Sequence, residues 1–167
     1  MGNPDAVARQ ITEELAKSQI KLVASLPDNW INKLLDIIEA DERFEHIPVN
    51  REESAVGLCS GAYMGGMGSV ALMGASGFMT LIYALTKINY TYNIPIFMIV
   101  TLRGDFNDPQ KAHVSNGLYL RPLMESINMS YTVITKPEDI HMVSRTYGWT
   151  KRFFRPAAAL LTRDLLC

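Results

Sequence analysis

A disulfide framework, a basic field and an export signal are all missing from this sequence. Its two cysteines, Cys59 inside an apolar run and Cys167 at the last position, show no CxxC or Cys/His spacing, so no cysteine framework or metal site is expected. Reduced thiols in a cytoplasmic setting are the simplest expectation. The 16 basic and 17 acidic residues nearly cancel, to a net charge of −1. That leaves nothing to hold a phosphate backbone or an anionic bilayer, and neither nucleic acid nor membrane is an expected partner. The opening stretch MGNPDAVARQITEELAKSQ carries charges throughout an amphipathic helical pattern and lacks the apolar segment of a signal peptide. Ala6 stands where an N-myristoylation pattern needs Ser or Thr.

Charge itself is absent from one long stretch, since no Asp, Glu, Lys or Arg occurs between Glu53 and Lys87. A bilayer span is the first suspicion. Seven glycines interrupt the stretch (Gly57, Gly61, Gly65, Gly66, Gly68, Gly74 and Gly77), together with Ser60, Ser69, Ser76 and Thr80, and break it into pieces too short to cross as one helix. A segment buried on nearly all sides, in a central sheet or against another subunit, is the better expectation.

What is present is a regular alternation of helical periodicity with short apolar runs. Helices are expected over Pro4 to Ser18, with Asn3 as cap, then Asn29 to Glu39, Glu52 to Met64, Phe78 to Asn89, near Leu118 to Ile127, and Pro137 to Lys151. Strands are expected over Ile20 to Leu26, His46 to Val49, Ser69 to Met73, Ile94 to Thr101, Tyr131 to Ile134 and Ala157 to Thr162, with Arg103 to Ser115 as an aperiodic polar loop. No linker or internal repeat divides the chain. The expected fold is α/β: one domain over residues 1–167, doubly wound, with a mainly parallel sheet of about six strands and helices on both faces.

In such a sheet ligands collect beyond the carboxyl ends of the strands. Four segments lie there: Pro27-Asp28-Asn29, Asn50-Arg51-Glu52-Glu53, Gly74-Ala75-Ser76-Gly77, and Arg103-Gly104-Asp105 through His113. None is a phosphate-binding Walker loop or a dinucleotide fingerprint. In the second, an acid at a strand end opens a helix built of small and apolar residues, which places a carboxyl group in a dry environment suited to proton sharing. Ordinary first-turn capping explains the same acids equally well. His113 reads either as a substrate contact or proton carrier, or as a surface histidine. Arg103 reads either as an anion fork or as a surface cation.

The segment Asn50-Arg51-Glu52-Glu53-Ser54-Ala55, with Gly61 and Tyr63 behind it, resembles the glutamate segment of the pyrimidine-binding domain of thiamine diphosphate-dependent decarboxylases. GSVALMGASGFMTLIYALTKINYTYNIPIFMIV is similar to the strand, glycine turn, helix and strand of those domains, and the likeness runs over most of the chain. Leu102-Arg103-Gly104 and Asp108-Pro109-Gln110, followed by His113, resemble motifs of the sulfopyruvate and phosphonopyruvate decarboxylases in particular. The resemblance implies a lyase whose chemistry is largely the cofactor's own. It selects Glu52 over Glu53 as the acid that hydrogen-bonds the aminopyrimidine ring. It further implies a cofactor contact at Pro27, Asn29, Gly74, Ser76, Gly77 and Phe78, and a small 2-oxoacid held by Arg103, His113 and Asn29. Asn29 lies about where larger decarboxylases carry an acid.

The Gly-Asp-Gly and asparagine pattern by which this family holds diphosphate and Mg²⁺ is lacking. The resemblance therefore implies a separate beta subunit carrying the diphosphate-binding domain and most of the metal contacts, in α₂β₂ units. Competing expectations are another thiamine-dependent carboligase or transferase subunit, a non-catalytic regulatory α/β subunit, and a flavodoxin-like domain with an unrelated ligand.

Overall fold

A computed structural model describes residues 3–167 of the chain. Its helices are α1 (Pro4–Lys17), α2 (Asn32–Glu39), α3 (Glu52–Met64), α4 (Ala75–Thr80), α5 (Ile82–Ala84), α6 (Val114–Ser126), α7 (Met142–Phe153) and α8 (Arg163–Leu166). Its strands are β1 (Ile20–Ser25), β2 (Glu45–Pro48), β3 (Gly68–Gly74), β4 (Phe97–Leu102), β5 (Ser130–Ile134) and β6 (Ala157–Thr162). All neighbouring strands are parallel, in the order β2-β1-β3-β4-β6-β5. This is the doubly wound sheet the alternating pattern predicts.

Local chemistry explains most boundaries. Asn3 caps α1 by accepting from the Asp5 amide at 3.1 Å, and Pro4 supplies the preset φ of the first turn. Val7, Ala8, Ile11 and Leu15 then form the buried stripe of that helix. Central strands β4 and β6 are buried at every position, as suits strands covered on both faces.

Two departures from expectation have local causes. The helix expected over Phe78–Asn89 starts at Ala75, breaks at Leu81 and ends as a π-helical turn over Leu85–Tyr90. Hydroxyls of Thr80 and Thr86 donate to the carbonyls of Gly77 and Ile82, competing with the regular helical ladder. The glycine turn is accordingly no loop, because Ser76, Gly77 and Phe78 already lie within α4. Helix α6 begins at Val114, ahead of the expected start, because polar Ser115 and Asn116 and the small Gly117 hide its periodicity. Within the charge-free stretch, Val70 to Met73 are fully buried in the sheet, whereas Gly57, Gly61, Met64 and Tyr83 are exposed in this chain, the part for which the expected alternative is another subunit.

Two apolar layers sandwich the sheet. One joins α1, α2, α7 and α8 to one face of the strands through Ile11, Leu15, Leu34, Ile38, Val143 and Leu165. The other joins α3, α4, α5, the π-helical turn and α6 to the opposite face through Val56, Cys59, Phe78, Ala84, Leu85, Leu120 and Met124. Leu72, fully buried in central β3, anchors the first layer. Leu72→Ala is expected to cost about 2–5 kcal/mol through lost burial and a residual cavity. Urea denaturation checks this, as a fall in midpoint at unchanged slope.

Candidate functional site at the carboxyl edge of the sheet

Helix α2, after β1, packs on one face, while α4, after β3, packs on the other. The ends of β1 and β3 are thus a topological switch point, where adjacent strands send their chains apart and leave a crevice. Asp28 projects into it from the segment after β1. A Cβ on Gly74, at the end of β3, would lie 2.5 Å from Asp28 Oδ2, so only glycine leaves room for this carboxylate.

Asp28 is the hub of the edge. Arg103, just beyond β4, grips it at two points: Nε to Oδ2 at 3.0 Å and Nη2 to Oδ1 at 2.6 Å. The Thr101 hydroxyl donates to Oδ2 at 3.1 Å and the Trp30 amide to Oδ1 at 2.9 Å. Both partners of the pair are largely buried, with side-chain exposures of 6% for Asp28 and 14% for Arg103. The guanidinium carbon lies 4.8 Å from the Trp30 ring centroid, adding a cation–π contact. Its third branch, Nη1, points at His113 Nε2 at 2.6 Å.

His113 is held from its other side by Asp108, with Nδ1 and Oδ2 2.7 Å apart. The Asp108 carboxylate also accepts from the amides of Gly104, at 2.9 Å, and Gln110, at 3.1 Å. Gly104, at φ +77°, presses its backbone on the His113 carbonyl and the Gly117 amide, and a Cβ there would collide with both. Farther along, Asn107 donates to Asp164 on α8 at 2.7 Å, and Arg163 donates to the Asn107 carbonyl at 2.8 Å. The polar loop expected after β4 is therefore a braced structure.

Glu52 opens α3 and reaches across to α4. Its carboxyl and Cγ rest against Gly77, where any Cβ would overlap them. Glu53, by contrast, is tied to Arg51 at 3.2 Å, and the Arg51 guanidinium holds that carboxyl below the ordinary carboxylate range. Glu52 accepts no hydrogen bond among the described residues, so its half-buried carboxyl is free to meet a ligand. No cluster of three His, Cys, Asp or Glu side chains able to hold a metal ion occurs among the described residues.

The remaining expected contacts are spread unevenly. Gly74 and Gly77 line the edge as cradles, but the Phe78 side chain is wholly inside the core and has no face toward it. Pro27, Asn29 and Ser76 are exposed. The carboxylate that turns inward at this edge belongs to Asp28, next to the exposed Asn29. Asp28, Trp30 and Asp108 were missed as site residues. Pro-Asp and Asp-Pro spellings read as turn punctuation in a sequence, and only the fold shows that both carboxylates turn inward.

No protein-family model matches the chain. The sulfopyruvate decarboxylase subunit alpha of Methanococcus maripaludis is 31% identical over 141 residues, which cover 84% of this chain and 82% of that protein. Its counterpart from Methanocaldococcus jannaschii is 30% identical over 151 residues, covering 90% and 89%. The chain belongs to the sulfopyruvate decarboxylase alpha-subunit family. A longer relative from Methanosarcina acetivorans, named sulfopyruvate decarboxylase, is 29% identical over 96% of this chain but only 40% of its own length. Among solved structures, a 2-oxoglutarate:ferredoxin oxidoreductase from Magnetococcus marinus matches 99% of the chain and 29% of its own, with a TM-score of 0.70 at 10% identity. That likeness concerns the fold alone.

Burial by itself would raise the Asp108 carboxyl, but the Gly104 and Gln110 amides and His113 outweigh it and hold the group below its ordinary range. Such a carboxyl stabilises the fold above the unfolded value of about 3.9, and its contribution is lost as pH falls through the folded value. Wild type is accordingly expected to lose more stability than Asp108→Asn between about pH 5 and pH 3. Urea midpoints measured across that range check the difference.

Proposed function

We propose that this chain is the pyrimidine-binding alpha subunit of a thiamine diphosphate-dependent decarboxylase that converts 3-sulfopyruvate to sulfoacetaldehyde and carbon dioxide. The observation that carries the reading is the Glu52 carboxyl, laid on the Gly77 backbone and left without a hydrogen-bond partner among the described residues, in a chain of the sulfopyruvate decarboxylase alpha-subunit family. When bound, thiamine diphosphate supplies the nucleophilic carbon that attacks the 2-oxo group and the electron sink that lets carbon dioxide leave. Glu52 would hydrogen-bond the ring nitrogen of the aminopyrimidine, and the missing side chain at Gly77 leaves room for the Glu52 carboxyl to lie there. Arg103 and His113, side by side at the crevice, supply positive charge and a proton-handling group toward a doubly anionic 2-oxoacid.

Diphosphate and Mg²⁺ belong, on this reading, to a beta subunit. The name subunit alpha borne by the two shorter relatives supports a partner, and the extra length of the Methanosarcina acetivorans relative is room for a second domain in the same chain. The exposed, uncharged side of α3, with Gly57, Gly61 and Met64, supports the same reading, because an Ala-sized group at either glycine would meet nothing within 4 Å among the described residues. An α₂β₂ unit is the simplest assembly. A phosphonopyruvate decarboxylase from Streptomyces viridochromogenes, 25% identical over 72% of this chain, makes phosphonopyruvate the second substrate to test.

Carbon dioxide release from each 2-oxoacid, with thiamine diphosphate and Mg²⁺, is expected only when this chain is mixed with its beta partner. Glu52→Gln is expected to lower the rate at least about a hundredfold. Turnover unaffected by that change would defeat the reading. Gly77→Ala is expected to push the Glu52 side chain aside, lowering turnover by about a hundredfold through misplacement. Its unfolding temperature, read by calorimetry, should shift by no more than about 4 °C, because the displaced group is a flexible side chain.

A further inference from the structure

Hydrogen bonding around His113 admits one arrangement of its protons. A guanidinium has donors and no acceptor, so the Arg103 Nη1 group 2.6 Å from Nε2 requires a lone pair on that nitrogen. The single ring proton of the neutral imidazole must then sit on Nδ1, where Asp108 Oδ2 accepts it at 2.7 Å. The opposite tautomer would set an N–H against an N–H at one nitrogen and a lone pair against a carboxylate at the other.

Asp108 does not owe its own orientation to His113. Two backbone amides, Gly104 to Oδ2 and Gln110 to Oδ1, fix both of its oxygens, and its side chain is only 1% exposed. Gly104 is in turn locked against Gly117 by backbone contact. Trp30 closes a third side of the imidazole, edge to face, with ring centroids 5.9 Å apart and planes at 89°. The carboxylate is thus a fixed point and the imidazole is set by it.

We propose that Asp108 is a positioning residue, which holds His113 as the Nδ1–H tautomer with its Nε2 lone pair turned toward Arg103 and the crevice. It acts through His113 and touches no substrate. The basic nitrogen is thereby presented on the side of Arg103, which Asp28 holds in place. The inference deepens the decarboxylase reading and rests on it for the role of His113. The tautomer itself stands on geometry alone.

The test uses the assembled complex with this chain carrying ¹⁵N-labelled histidine. The chain has three histidines, and His113→Gln assigns the signal. Wild type is expected to show the Nδ1–H pattern at His113, and Asp108→Asn a shift toward the Nε2–H form. Asp108→Asn should also lower kcat about tenfold or more, the cost typical of losing a side chain that orients an imidazole, with KM little changed. An Nε2–H pattern in wild type overturns the proposal without recourse to any variant. Unchanged kcat in an Asp108→Asn complex whose tautomer has shifted overturns the positioning role, while the Glu52→Gln result still decides the decarboxylase reading separately. Absence of turnover in the wild-type complex fails that reading and removes the role of Asp108 with it, leaving the tautomer to the spectrum.

Discussion

The two-point ion pair between Asp28 and Arg103 is the interaction on which the carboxyl edge of the sheet depends. It spans from the end of β1 to the end of β4 across β3, so it ties together strands that do not touch. Burying both charges carries a desolvation cost that the attraction offsets only because Thr101, the Trp30 amide and the Trp30 ring add further contacts. Its value therefore lies in orientation more than in net stability. Once Nε and Nη2 are committed to Asp28, the remaining nitrogen of Arg103 has one direction left, toward His113, and Asp108 and its loop follow from there. Gly74 is the counterpart on the strand between: a side chain at that position would evict the carboxylate.

Much of the architecture was legible because it rests on patterns of single segments. Apolar runs bounded by turn residues marked all six strands to within a few positions, and the handedness of crossovers led from parallel strands to helices on both faces. Glu52 was picked out by the resemblance and not by spacing, which left both acids open; in the fold Glu52 is the one that reaches α4, while Glu53 is drawn off by Arg51.

What escaped was whatever depends on convergence. Asp28 and Asn29 are adjacent, and nothing in the order of letters says which one turns inward; the decision is made by Arg103 and Thr101, more than seventy positions away in the chain. Asp108 enters the sequence only as part of a motif shared with the resembled family, and its role escaped because it consists of accepting from amides whose positions exist only after the loop has closed. Which of the two expected burials applies to the outward side of α3 escaped for a related reason. Small residues mark close approach, but composition does not say whether the approaching surface is within the same chain.

The all-parallel sheet has a consequence for how this site comes into being. Parallel neighbours cannot be joined by a tight hairpin, and pairs such as Ile20 with Gly68 or Phe97 with Ala157 close long loops before any contact rewards them. A chain of this kind gains little from its early segments alone, and folding should be slow relative to a helical bundle of similar size. Asp28, Gly74 and Arg103 stand at the ends of three different strands of that sheet, so they meet only once β1, β3 and β4 have paired. The crevice is a product of that distant pairing and of no single segment.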